Sequence, residues 1–173
     1  MTITINGSGT VTGITAGGLP DAIITQPELA TGVAGTGPAF SAYLNTTQTP
    51  TSGVWTKILF DAEEFDTNNN FASSRFTPTV AGYYFVQAAM SSLGGTFTAC
   101  QISIYKNGSA NKITTNYATS SSLDDWTSNV SSVIYLNGST DYLEIYGNSV
   151  GATPQFIASN TYTYFSGFLA RSA

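Results

Sequence analysis

The chain has 173 residues, a net charge of −5 and charged side chains at only 9% of positions. That length supports one domain with a proper core and room for an appendage. Five basic residues (Lys57, Arg75, Lys106, Lys112, Arg171), scattered along an acidic chain, argue against a nucleic-acid partner, whose phosphates call for clustered Lys and Arg. A surface of Ser, Thr, Asn and Gly suits extracellular or virion β proteins better than a cytosolic enzyme. No run approaches the ~18 apolar residues that cross a bilayer. Met1 to Asn6 lacks the basic start and apolar core of a secretory signal, so synthesis in a cytosol is expected.

Residues 1–36 differ from the rest. Thr2 to Ile5 alternates as a strand does, Asn6-Gly7 signals a turn, and Thr10 to Ile14 can pair back. Asp21 to Ala30 offers one or two helical turns, and Gly32, Gly35 and Gly37 form a joint before Pro38. A piece of this kind cannot bury a core alone and is expected to act as an attachment or trimerisation arm for a head spanning 37–173.

From Pro38 onward, strand candidates follow at short spacing. They are Ala39 to Leu44, Val54 to Phe60, Phe71 to Thr77, Gly82 to Ser91, Thr96 to Lys106, Lys112 to Ala118, Thr127 to Leu136, Asp141 to Tyr146 and Asn160 to Arg171. Asn107-Gly108 and Asn137-Gly138 read as tight hairpin turns. Many short strands without a long helix indicate an all-β antiparallel sandwich. In Tyr162 to Leu169 both faces are apolar, so the outward side chains Tyr162, Tyr164 and Phe168 are expected to meet another subunit. Cys100 is the sole cysteine, which excludes an intrachain disulfide and reads as a small buried hydrophobe.

Catalysis is poorly supplied: paired carboxylates among Asp61, Glu63, Glu64 and Asp66, or Asp124 with Asp125, suit glycoside chemistry in principle, but no spacing places two of them across a sugar. The chain has no histidine, hence no imidazole base, no Ser-His-Asp or Cys-His arrangement and no imidazole metal ligand. Two clusters remain. Asp61 to Asn70 reads as an acidic loop whose Asp61, Glu63, Glu64 and Asp66 are hard oxygen donors of the kind calcium takes, set against the plainer reading of a polar loop. Asp124, Asp125 and Trp126, on a loop between two strands, combine an aromatic platform with acceptors for sugar hydroxyls. The competing reading folds Trp126 back onto the sandwich. Trp55 reads as packing inside an apolar strand.

The stretch Phe60 to Gln87 resembles the globular heads of the complement C-one-q family, in the tumour-necrosis-factor-like superfamily. Phe60, Asp66 and Phe71 fall at that family's spacings, as do Phe76 and Gly82, while Gly82-Tyr83-Tyr84-Phe85 is one residue shorter than the family's Gly-x-Tyr-x-Phe. Ile104 to Gly108, Leu136 to Gly138 with Asp141 to Ile145, and Tyr164 to Leu169 continue the family's order. The resemblance implies a jelly roll that assembles as a homotrimer, with calcium in some members. Separately, the wording TINGSGTVTGITAGGLPDAIIT is similar to the opening of bacteriophage tail- and head-fibre proteins. Together the two resemblances imply a non-enzymatic virion protein made in the host cytoplasm, a tail-fibre tip or head fibre. Residues 1–36 would hold the particle, and a trimeric head would bind a host-surface glycan or protein. The alternatives are a capsid decoration protein and a secreted complement-like adhesion module.

Overall fold

The computed structural model describes residues 4–5, 11–12, 37–117 and 125–173, which form only strands and loops. The chain divides into two units, Met1–Gly35 and Thr36–Ala173. In the first, β1 (Thr4–Ile5) and β2 (Val11–Thr12) pair antiparallel, as the alternation around the Asn6-Gly7 turn predicts. The helical turns expected over Asp21 to Ala30 lie outside the described residues.

The second unit is a sandwich of two antiparallel sheets. One sheet holds β4 (Thr56–Lys57), β6 (Phe71–Ala72), β7 (Arg75–Phe76), β9 (Ala99–Lys106), β10 (Ser109–Tyr117) and β12 (Leu143–Val150). Its order is β10-β9-β12-β7-β6, with β4 also on β12. The other sheet holds β3 (Ala39–Leu44), β5 (Ala62–Asp66), β8 (Gly82–Leu93), β11 (Asp125–Leu136), β13 (Gln155–Phe156) and β14 (Ser159–Ser172). It runs β11-β8-β14-β3-β5, with β13 also on β8. Apart from the consecutive pairs β6–β7 and β9–β10, most hydrogen-bonded neighbours are distant in sequence, as β8 with β14, β14 with β3 and β12 with β7 show, which is the jelly-roll pattern.

Period-two alternation turns one face of each strand inward. On β12, Leu143 and Ile145 are buried in the core, while on β14 Thr163 and Phe165 point inward between Tyr162, Tyr164 and Ser166. Aromatic rings join the two sheets. Phe40 of β3 stacks on Phe76 of β7 at 4.2 Å and on Phe71 of β6 at 5.2 Å, and meets the edge of Phe165 at 4.8 Å. Tyr84 is fully buried, and its hydroxyl donates a 2.7 Å bond to the Val80 carbonyl, which satisfies its one polar atom. Cys100 is fully buried, as its apolar surroundings in the sequence predict.

Three local expectations are corrected. Asp61 to Asn70 is not all loop, because Ala62–Asp66 forms β5 along the sheet edge beside β3. Phe71 to Thr77 is not one strand but a hairpin, turned by Ser73 and Ser74 at φ of 52° and 57°. Asn107-Gly108 does close a two-residue hairpin, at φ of 52° and 78°. Asn137-Gly138 does not, because the strands on either side of it, β11 and β12, belong to opposite sheets. There the Asn137 side-chain oxygen accepts from the amides of Ser139, Thr140 and Asp141 and organises the crossing loop instead.

Candidate functional site

Inward alternation on β8, β11 and β14 leaves the opposite face of their sheet to carry large apolar side chains. Phe168 is 49% exposed and lies 5.7 Å from Phe85, while Tyr83 and Tyr135 are 5.4 Å apart and both exposed. Phe65 of β5 and Val133 of β11 add 51% and 57% exposed positions. Tyr162 is exposed and Tyr164 half-buried, so all three residues expected to meet another subunit lie on this outer face. A groove of about 210 Å³ runs between Phe65, Phe85 and Phe168, and a wider depression of about 590 Å³ is lined by Tyr83, Val133 and Arg171.

The opposite sheet carries a polar centre. Glu144 of β12 is 3% exposed although it points away from the core. Its Oε1 accepts from Lys57 Nζ at 2.7 Å, Arg75 Nε at 2.9 Å and Arg75 Nη2 at 2.8 Å. Burial pushes the Glu144 carboxyl up, but the bonds and charges of Lys57 and Arg75 prevail and hold it below its ordinary value. The Arg75 guanidinium lies 3.8 Å over the Tyr142 ring, and Lys57 also donates a 2.9 Å bond to the Ser73 carbonyl. Beside this centre Tyr105 stacks on Tyr146 at 4.0 Å. Sequence reading did not reach this group, because its members come from β4, β7 and β12. The only local hint is a Glu placed between two core positions of an alternating strand.

The acidic segment is spread rather than gathered. Asp61 Oδ1 caps the amides of Asn45 and Thr46 at 2.6 and 3.3 Å, and Glu64 accepts a 2.8 Å bond from the Ser41 hydroxyl. Asp66 accepts from the amides of Asn68 and Phe71, the latter at 2.7 Å, and Glu63 is exposed. Strand alternation sends successive side chains of β5 to opposite faces. Among the described residues no three Asp, Glu, Cys or His groups come together to hold a metal. Of the expected sugar platform, Asp124 and the Asp125 side chain lie outside the described residues, and Trp126 is half-buried and packs against the core. Trp55 is half-buried just before β4, outside any strand.

A family model described as "C1q domain" matches residues 39–170. The globular domain of zebrafish complement 1qA is similar in structure, with a TM-score of 0.58 at 19% identity over 79% of this chain and 99% of that one. Murine APRIL gives 0.58 at 11% identity over 78% and 99%, and Eiger TNF from S. frugiperda 0.55 at 10% over 79% and 94%. Identities this low speak for the shared fold alone. A comparison with curated protein sequences finds no match.

Proposed function

Because the chain belongs to the C1q-domain family, we propose that it is a non-enzymatic ligand-binding head that works as a homotrimer. The observation that carries this reading is the outer face of β8, β11 and β14. Its Phe168, Tyr83, Tyr135 and Val133 are each between 43% and 57% exposed, and burying them between copies removes the cost of leaving them in water. Three identical heads held together present three identical sites, so weak single contacts add up to useful avidity. Replacing Phe168 with Glu places a charge in the middle of the proposed interface. Sedimentation of this variant as a monomer, with strand content kept, supports the reading, and a variant that sediments like the wild type overturns this face as the interface.

The head is further proposed to sit on a virus particle, held by residues 1–36. The support is the similarity of Thr4 to Thr25 to the opening of phage fibre proteins. Labelled protein incubated with host cells and with particles lacking it separates the roles. Cell binding favours a receptor-reading fibre, particle binding a decoration protein, and binding to neither removes the virion assignment.

A further inference from the structure

We propose that the cleft between β4 and the β6–β7 hairpin binds the carboxylate-bearing unit of an acidic saccharide, a uronic or sialic acid residue. This names a ligand for the head proposed above and rests on its being a ligand-binding module. The cleft encloses about 410 Å³ and is lined by Lys57, Asn69, Asn70, Ser73, Arg75 and Thr77. That volume lies in the range of small-molecule sites.

Charge is the first argument. Two of only five basic residues in a chain of net charge −5 line one cavity. Glu144 neutralises one of the two, which leaves a single positive excess suited to a monoanion.

Preorganisation is the second. The bonds from Arg75 to Glu144 use Nε and Nη2, so Nη1 has no partner among the described residues. With Tyr142 packed 3.8 Å beneath it, the guanidinium is already oriented and loses little freedom on gripping a carboxylate. Lys57 spends two of its three N–H groups, on Glu144 and on the Ser73 carbonyl.

Backbone conformation is the third. Asn69 and Ser73, both on the cleft lining, each hold φ of 52°, two of the four left-handed non-glycine residues among those described. At Ser73 this backbone is what the two-residue β6–β7 hairpin requires, and it fixes the rim of the cleft. An ion pair that only ties strands together accounts for buried Glu144, but not for the open cavity beside it. Apart from Ala72, the rest of the lining is amide and hydroxyl, able to donate to and accept from ring hydroxyls, and this favours a sugar acid over a bare anion.

The test is calorimetric titration of the full chain with glucuronate, N-acetylneuraminate, glucuronamide as the neutral counterpart, and inorganic phosphate. At least one sugar acid is expected to bind in the millimolar range, with glucuronamide about tenfold weaker or worse than glucuronate. Arg75→Lys keeps the charge but loses the planar fork, and is expected to weaken the acid about tenfold as well. The native mass of Arg75→Lys is measured alongside, so that a lost site is distinguished from a lost assembly. Equal binding of acid and amide, no binding of either acid up to about 20 mM, or phosphate binding as tightly as the acids each overturns the proposal.

Discussion

Replacing Glu144 with Gln keeps the size of the side chain and removes the charge that Lys57 and Arg75 share. Breaking a fully buried ion pair from one side costs about 3–5 kcal/mol, because the stranded charge stays out of water. Here the stranded groups are the cations, whose side chains are 24% and 43% exposed, and they rehydrate when the carboxylate goes. The cost therefore falls toward that of losing one charged hydrogen-bond acceptor, about 2 kcal/mol at neutral pH. The assay is urea unfolding of both proteins at equal chain concentration, since assembly couples stability to concentration. The pH dependence carries the sharper test. The folded Glu144 carboxyl is held below its ordinary 4.5, so its contribution is complete above that value and disappears as pH falls through the lower folded value. Asp61 and Asp141 are also lowered, but they are present in both proteins, so their slopes cancel in the difference. The gap between wild type and variant should therefore close in acid. A gap as wide near pH 3 as at neutrality would show that packing, not charge, explains the loss and would refute the reasoning.

Phe40→Ala removes the ring that touches Phe71, Phe76 and Phe165 across the two sheets, and should cost about 3–5 kcal/mol in the same assay. Tyr84→Phe deletes the 2.7 Å bond to the Val80 carbonyl and should cost about 1 kcal/mol. Burial pushes the Tyr84 hydroxyl from 10.0 to about 12, so its protonated form stabilises the fold fully below pH 10 and the contribution is lost as pH rises toward 12. Tyr84→Phe should therefore unfold less steeply with rising pH in alkaline solution, and an unchanged slope would contradict this account of Tyr84.

The sandwich was legible in the sequence because its central strands are aromatic and alternating. Ala39–Leu44 falls on its expected bounds, and Tyr162, Tyr164 and Phe168 face outward opposite buried Thr163 and Phe165, as a period of two requires. β5 was hidden because an edge strand is paired on one side only and tolerates charge, so Glu63, Glu64 and Asp66 read as loop. The hairpin at Ser73-Ser74 was hidden because neither residue is a usual occupant of left-handed backbone. Asn137-Gly138 misled for the opposite reason: a good turn dipeptide does not say whether the following strand pairs with the preceding one or crosses to the other sheet. Of the Glu144 centre only the Glu between core residues Leu143 and Ile145 shows in the sequence, since Lys57 and Glu144 are 87 positions apart and nothing local ties them.

The central claim is that three copies of this head meet across the face of β8, β11 and β14. Light scattering on the sizing column tests it most directly, with the wild-type chain at about 10 μM and below. The account predicts a mass near three times the 18.1 kDa chain. A species of 18.1 kDa across the same concentrations would contradict it and leave the exposed aromatic face without a partner of its own kind.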